Sequence, residues 1–349
     1  MMRKTTLLAT IVAMTLVTGC AAPRASAPTA TPPGTAAAIG TAAATGTAAL
    51  KDYSGRAVTV VTGPTGGVYI VYGAGIANIL TNKLKVSGTA QSTTASVDNM
   101  KLIRDKKADL ALTLPDVAFD AVKGRGRFAP PETPAKAKAL AVLYTNFFHL
   151  VTKDGIGINT PADLKGKRVS VGAAGSGTEV KGLRVIEAYG LQKSDLQAQS
   201  LGPADSAAAL KDGKIDAFFW DGGLPTAAIT DLVNTASFKV KFLSHTDAVA
   251  KMSSKYGPFY FVATIPKGTY KNDEDIKVAG VANLLVAHDD MEDDLAYQVL
   301  KTLFDNKTEL GTVHVEAKNL KLETAVAGSP LDYHPGAIKF FRDKGVWKK

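Results

Sequence analysis

The residues best suited to chemistry lie in a glycine-rich stretch at positions 169–185, VSVGAAGSGTEVKGLRV. A β-branched segment runs into a loop of small residues, and a helix then begins near Thr178 with apolar residues at helical spacing. The first N–H groups of a helix have no partner inside it, and glycine lets an acceptor-rich group approach them. The stretch therefore predicts a receptor for an anionic or polar group, which could be bound or reacted.

Reactive loops of known type fit this stretch poorly. A phosphate-binding P-loop needs Lys where Thr178 stands, and the glycine spacing also fails the dinucleotide pattern. Around Ser176, the outer positions are Ala174 and Thr178 instead of the glycines of a nucleophile elbow. We therefore expect a binding protein with no catalytic residue and no cofactor.

The residues that commonly hold metals are scattered. The five histidines show no pair at metal-ligand spacing, and the acidic run at 289–294 lacks the glycine of a calcium loop. Negative charge at the start of a helix is stabilising by itself. The sequence thus predicts no metal site.

The beginning of the chain has the features of an export signal. Arg3 and Lys4 precede an apolar run, and Leu-Val-Thr-Gly-Cys resembles the lipobox of bacterial lipoproteins. We predict a signal peptide at 1–19, followed at 20–50 by a lipidated Cys20 and a disordered tether. The protein would then be extracytoplasmic, in the periplasm or at the cell surface, and lipid-anchored to a membrane. The net charge of +9 is dispersed without a basic-aromatic motif, so we expect no nucleic-acid partner.

Strand and helix patterns alternate along the rest of the chain. This predicts an α/β fold of two doubly wound lobes with parallel sheets and a ligand cleft between them. Lobe 1 would hold 51–143 plus 256–349, and lobe 2 would hold 144–255. The apolar segment 139–152, one long strand or a strand pair, would cross between the lobes, and the chain after 265 would be mainly helical. Ligands bind beyond the carboxyl ends of such strands, so three glycine loops should meet in the cleft.

A series of short motifs occurs in a family's order along the chain. The motifs are Gly63-Pro64-Thr65-Gly66-Gly67-Val68-Tyr69, Ser96-Val97-Asp98-Asn99, Ala108-Asp109-Leu110-Ala111, Asp116-Val117-Ala118-Phe119-Asp120, Gly175-Ser176-Gly177-Thr178-Glu179, Gly222-Gly223-Leu224-Pro225-Thr226 and His334-Pro335-Gly336-Ala337-Ile338. Together they resemble the TAXI family of extracytoplasmic solute-binding proteins that serve TRAP transporters. The resemblance implies a type II-like periplasmic binding protein that closes on a dicarboxylate, 2-oxoglutarate, glutamate-like or other amino-acid solute. It also implies delivery of that solute to an integral-membrane TRAP permease.

The resemblance and the loops together give the candidate ligand-binding residues. They are Thr65, Gly66, Gly67 and Tyr69 in lobe 1, and Ser176, Gly177, Thr178, Trp220, Gly222 and Gly223 in lobe 2. Leu114 completes the set, because many family members carry Gln at that position. The apolar residue here favours an acid without an amino group, or one with an apolar body. Tyr69 and Trp220 are the candidates for aromatic contact with the ligand. Lys181 and Arg184 lie one turn into the helix, and we expect both side chains to be exposed to solvent.

Two other functions agree with the same residues. A lipoprotein could sense the solute for a signalling receptor, in which case no permease gene need lie beside its own. A secreted hydrolase could use Ser176, in which case Ser176→Ala would abolish turnover of an ester while solute binding persists. In each case we expect a monomer.

Overall fold

The protein is described here by a computed structural model that covers residues 50–348. The predicted signal peptide, Cys20 and the tether up to residue 49 lie outside this range. Within residues 50–348, every helix is too short or too polar to cross a membrane.

The described chain contains ten strands and eleven α-helices. The strands are β1 (Ala57–Val61), β2 (Ser87–Gln91), β3 (Leu110–Thr113), β4 (Ala137–Lys153), β5 (Arg168–Ser170), β6 (Gln197–Gln199), β7 (Ala217–Gly222), β8 (Val240–Phe242), β9 (Phe261–Ile265) and β10 (Ile276–His288). The helices are α1 (Val68–Ile79), α2 (Ser96–Arg104), α3 (Pro115–Lys123), α4 (Gly177–Ala188), α5 (Pro203–Lys211), α6 (Ala227–Thr235), α7 (Asp247–Tyr256), α8 (Asp293–Asp305), α9 (Lys307–Val313), α10 (Leu322–Ala325) and α11 (Pro335–Asp343).

The strands form one sheet in the order β2-β1-β3-β10-β4-β7-β5-β6, with β8 beside β4 and β9 beside β10. At one end β1 lies parallel to β2 and β3, and at the other end β5 lies parallel to β6 and β7. We call β1–β3 with α1–α3 the first lobe, and β5–β7 with α4–α6 the second lobe. The predicted α/β fold of two doubly wound lobes is confirmed.

The prediction of wholly parallel sheets is wrong, because the two long central strands are antiparallel to their neighbours. β4 pairs with β10 along its first part and with β7 from Phe147 to Thr152. It is one strand of 17 residues, so it passes from one lobe to the other without a turn. The predicted crossing segment is therefore confirmed as a single strand.

The prediction that the chain after residue 265 is mainly helical misses β10. This strand has the letters IKVAGVANLLVAH and is buried along nearly its whole length. A continuous apolar run has no period-2 alternation, so a strand buried on both faces reads like a buried helix. The last helix, predicted at 335–344, lies at Pro335–Asp343.

Two groups of buried apolar side chains stabilise the fold. The larger one joins β1, β3, β4 and β10 to α1, α2, α8 and α11, and it continues into β5, β7 and α4. The smaller one lies under the second lobe and includes Phe218, Trp220 and Ile229, together with Tyr270 and Ile276. The lobe boundaries near residues 143 and 255 stay a prediction.

Two fully buried histidines make the stability of the fold sensitive to pH. His245 Nε2 accepts the backbone N–H of Ala279 (3.2 Å), and Nδ1 lies 3.1 Å from the Leu243 carbonyl oxygen, as in the neutral ring. Burial lowers the pKa of His149 and of His245 from 6.5 to about 4. The stability they confer is present above pH 6.5 and is lost as the pH falls toward 4, because only the unfolded chain takes up the protons.

We expect the free energy of unfolding to fall by about 2 kcal/mol per histidine between pH 7 and pH 5. Urea unfolding at the two pH values measures this loss. His149→Gln and His245→Gln should each remove roughly one histidine's share of the pH dependence, whatever they do to stability at pH 7. An unchanged pH dependence in both variants would contradict the assignment.

Candidate functional site

A small cavity lies between the two lobes, where the starts of α1, α2 and α4 meet the end of β7. It is lined by Pro64, Gly67, Val68, Tyr69, Thr94, Ala95, Ser96, Leu114, Asn146, Ala173, Ser176, Gly177, Thr178, Pro203, Trp220, Asp221 and Gly222. The space open to the centre of a water molecule is about 20 Å³, enough for one or two waters. The lobes are therefore closed in this structure.

The starts of long helices supply the polar character of the cavity. α1 begins after Gly67 without a side-chain cap, and α4 begins after Ser176, whose Oγ accepts the N–H of Glu179 (3.0 Å). Both helices have 12 residues, so their N-terminal dipoles are well developed. The cavity residues Gly177 and Thr178 belong to the first turn of α4. Such helix starts favour a negatively charged or acceptor-rich group.

The start of α2 holds the lobes together. The backbone N–H groups of Val97 and Asp98 lie 3.2 and 3.4 Å from the carbonyl oxygen of Gly175, in the loop before α4. A second bond joins the N–H of Ala228 in the second lobe to the carbonyl oxygen of Gly66 in the first (3.3 Å). These bonds join the first lobe to the second.

The structure brings together most of the residues that the sequence predicted for the site. Those that line the cavity are Gly67, Tyr69, Leu114, Ser176, Gly177, Thr178, Trp220 and Gly222. Thr65 is exposed outside it, Gly66 packs toward Ala204 and Ala228, and Gly223 packs against Glu316. The three glycine loops do meet in one cleft, while contact of these residues with a ligand stays a prediction.

Leu114 forms an apolar wall of the cavity. It is the residue before α3, is almost fully buried, and donates its N–H to Ser96 Oγ (3.2 Å). Its side chain lies so close to the start of α4 that a Cβ on Gly177 would stand 2.5 Å from Leu114 Cδ1. This wall of the cavity is thus apolar, and a side chain at position 177 would have to displace Leu114 or Ser96.

Asp221 is the charged residue of the cavity wall, and sequence reasoning missed it. It is the residue before the last of β7, lies opposite Phe148 of β4, and donates its N–H to Thr178 Oγ1 (3.3 Å). Its carboxylate forms an ion pair with Lys181, and both side chains are almost completely buried. The available signal was its position at the carboxyl end of a buried strand, before a glycine loop.

The prediction of a solvated Lys181 is wrong. On α4 the buried positions include Thr178, Lys181 and Val185, at the spacing of one helix face. Apolar Val180 and Leu183, which suggested the opposite face, are only partly buried. Lys181 Nζ lies 5.4 Å from the ring centroid of Phe148, a cation–π distance that stabilises the ammonium beneath the cavity.

The two carboxylate oxygens of Asp221 have different neighbours. Burial raises the pKa of Asp221, and the charge of Lys181 opposes that increase. Neither carboxylate oxygen of Asp221 has a hydrogen bond of regular geometry within the described protein. Oδ2 faces the ammonium of Lys181, and the side-chain amide of Asn146 is the other polar group beside the carboxylate, so the hydrogen-bonding capacity of Asp221 is only partly used.

A chain of hydrogen bonds supports the first-lobe side of the cavity. Tyr69 donates its hydroxyl to Asn283 Oδ1, and Asn283 Nδ2 donates to Asn146 Oδ1 (2.5 Å). The three side chains are buried, and burial raises the pKa of Tyr69 well above 10, with the charge of Asp221 adding to it. Tyr69 therefore remains a neutral phenol fixed by β10.

Arg184 is also buried, so the prediction of a solvated role for it is wrong. Its guanidinium contacts Asp116 Oδ2 (3.1 Å), Asp120 and the hydroxyl of Tyr260 (2.7 Å). Tyr260 in turn donates to Asp116 Oδ2 (2.9 Å). These four residues, which we call the Arg184 cluster, join α4 of the second lobe to α3 of the first.

A cluster with metal-ligand atoms lies away from the cavity. Ligand atoms of His288, Asp289 and Asp290 lie within 4.8 Å of one another at the end of β10. Asp290 pairs with Lys106, and its N–H lies 3.3 Å from His288 Nδ1. These groups thus already have partners in the protein.

Several solved structures are similar to this chain. A periplasmic transporter matches with a TM-score of 0.51 at 11% identity, over 83% of this chain and 93% of that one. The periplasmic aliphatic sulphonate binding protein SsuA of Escherichia coli matches with a TM-score of 0.43 at 16% identity, over 83% and 84% of the two chains. The arginine-bound amino acid ABC transporter substrate-binding protein AbpA of Streptococcus pneumoniae matches with a TM-score of 0.45 at 16% identity, over 75% and 94%. At such identities the likeness concerns the fold.

A model of the NMT1-like family matches residues 60–345 of the 349 in the sequence. The match begins inside β1 and ends just after α11, so it includes every element that lines the cavity. The chain therefore belongs to the NMT1-like family.

Proposed function

We propose that this protein is an extracytoplasmic solute-binding protein that captures a small carboxylate-containing solute by closing its two lobes. The observation that supports this most strongly is the cavity between the lobes, where long helices from both sides begin. Its described lining residues include no Arg, Lys or His, so backbone N–H groups would bind the acid group. Charge-assisted hydrogen bonds to such groups are about twice as strong as neutral ones.

Capture of a solute requires the lobes to separate and close again. A four- to six-carbon acid is larger than the space for one or two waters found here, so it enters a more open form. A ligand that touches both lobes favours the closed form, because it binds that form more tightly than the open one. Micromolar affinity needs only about −8 kcal/mol, which several charge-assisted hydrogen bonds and an aromatic contact can supply.

Delivery to a TRAP-type secondary transporter is part of the proposal. The TAXI-like motif series along the chain supports this partner, and the fold shared with a solved periplasmic transporter is compatible with it. The lipobox at Cys20 supports a lipid anchor. Ser176 caps α4 through its Oγ, which is an ordinary structural role and gives no support to a hydrolase.

A ligand screen tests the proposal on the tether-free protein. We expect at least one amino acid or C4–C6 dicarboxylate to raise the melting temperature and to bind at micromolar concentration in calorimetry, because binding to the folded state alone stabilises it. The corresponding uncharged amides should give no shift. If no acid shifts the melting temperature while the protein is folded, the proposed substrate class is wrong. Uptake of the identified acid into vesicles containing a TRAP permease then tests the partner.

A further inference from the structure

The ion pair of Asp221 and Lys181 is the feature of the cavity that the proposed function has not yet used. We propose that Asp221 is a specificity-determining residue that selects acids with an amino or hydroxyl donor on the carbon next to the acid group. This inference rests on the proposed function and narrows its substrate class. The selected ligands are thus 2-amino or 2-hydroxy acids, and the rejected ones are 2-oxo acids and unsubstituted acids.

The first argument is the unmatched acceptor. Asp221 is 6% exposed and lines the cavity, yet its Oδ1 has no hydrogen bond of regular geometry within the described protein, where the amide of Asn146 is the neighbouring donor. Buried acceptors of this kind are rare, because an unsatisfied charged group is costly. Lys181 neutralises the charge from below but pairs with Oδ2. A donor from the ligand would complete the coordination of Oδ1.

The second argument is the position of Asp221 relative to the acid-binding helix start. Its backbone N–H bonds Thr178 Oγ1 in the first turn of α4 (3.3 Å). An acid group resting on the N–H groups of that turn therefore places its neighbouring carbon beside Asp221. The substituent on the carbon next to the acid group of the ligand therefore faces the carboxylate of Asp221.

The third argument is chemical discrimination. An ammonium or hydroxyl donates to the carboxylate of Asp221, and a hydrogen bond to a charged group is among the stronger ones in proteins. A keto oxygen can only accept hydrogen bonds, so the negatively charged carboxylate of Asp221 would repel it. A methylene group would offer Oδ1 no hydrogen-bond donor in the closed cavity. Sites built to pair with a polar substituent reject analogues that lack it.

Calorimetry on the wild-type protein with two matched series tests the selection. The first series is glutamate, 2-hydroxyglutarate, 2-oxoglutarate and glutarate; the second is alanine, lactate, pyruvate and propionate. In the series that binds, we expect the amino or hydroxy acid to bind at least about tenfold more tightly than the oxo and unsubstituted acids. If the oxo or unsubstituted acid binds equally well, the inference is overturned while the proposed function stands. If neither these acids nor any acid of the ligand screen binds, both are overturned.

A double variant assigns the selection to Asp221. Asp221→Asn with Lys181→Met removes both charges together, so no buried charge is left unpaired. We expect the preference for the donor-bearing acid to fall at least about tenfold, because the Asn amide can donate to a keto oxygen as well as accept. Asp216→Asn is the matched control, since Asp216 immediately precedes the same strand at its other end and pairs with Arg168. It should keep the wild-type preference; an unchanged preference in the folded double variant would contradict the role of Asp221.

Discussion

Replacing Arg184 with methionine is expected to lower the free energy of unfolding by about 3–5 kcal/mol, the usual loss when one partner of a buried ion pair is removed. Arg184 is the cation of the Arg184 cluster, and it neutralises Asp116 and Asp120 at distances of direct contact. Burial raises the pKa of Asp120 while Arg184 opposes the increase, so the carboxylates depend on this guanidinium. Methionine keeps much of the packing volume and removes the charge, which isolates the electrostatic part of the loss.

Chemical unfolding at neutral pH measures the effect, and two further variants show its cause. Arg168→Met is the matched control, because Arg168 forms a partly exposed pair with Asp216 and should lose only about 1 kcal/mol or less. Combining Arg184→Met with Asp116→Asn and Asp120→Asn should recover much of the lost stability, because no buried charge then lacks a partner. A loss for Arg184→Met no larger than that for Arg168→Met would show that the cluster is not energetically important.

The cluster also joins the lobes, so its loss bears on function. Arg184 belongs to α4, whose start forms part of the cavity, whereas Asp116 and Asp120 belong to α3. Their contacts form only when α3 and α4 are close together. The cluster therefore stabilises the closed arrangement at a point outside the cavity, where it leaves the ligand site free of basic side chains.

The sequence predicted the loops of the site better than its charges. Residues 63–67, 172–177 and 221–225 are rich in glycine and follow apolar segments, and both properties can be recognised without tertiary contacts. Parallel strands end at a common edge, which is why the three loops meet. The prediction of a cleft with helix starts on both sides follows from this rule.

Lys181 and Arg184 show why the charges were harder to predict. In the first two turns of α4, the apolar residues Val180 and Leu183 are only partly buried while Lys181 is fully buried, so apolar periodicity indicates the wrong face there. Their partners Asp221 and Asp116 are distant in the sequence. A buried ion pair is defined by both members, and pairing across such separations is visible only once the fold is known.

The central strands β4 and β10 were also hard to predict, because their pairing depends on contacts between distant parts of the chain. β10 has partners on both sides, β3 and β4, and is also paired with β9. Full burial removes the alternation of polar and apolar residues that distinguishes a strand. The antiparallel direction of β4 and β10 is likewise set by long-range connections, whereas β1 and α1 follow from local patterns.

Replacing Gly67 with alanine is expected to weaken ligand binding by about tenfold to a hundredfold, because overpacking a tight contact commonly costs about 1–3 kcal/mol. A Cβ on Gly67 would stand 2.8 Å from the indole ring of Trp220, closer than van der Waals contact allows. Trp220 cannot easily yield, since it is buried and donates its Nε1–H to Thr226 Oγ1 (2.9 Å). Gly67 lies in the first lobe and Trp220 in the second, so the clash arises only on closure.

Gly202→Ala is the matched control, because it adds the same methyl group at the same cleft. Gly202 belongs to the second lobe and faces Pro64 of the first, where a Cβ would stand at an ordinary 3.6 Å. We expect Gly202→Ala to bind like the wild type and Gly67→Ala to bind weakly while melting at a similar temperature without ligand. Small-angle scattering should show that Gly67→Ala stays more open when ligand is added. Equal affinity of the two variants would mean that the lobes need not close to this distance to hold the ligand, and the clamp mechanism would then have to be abandoned.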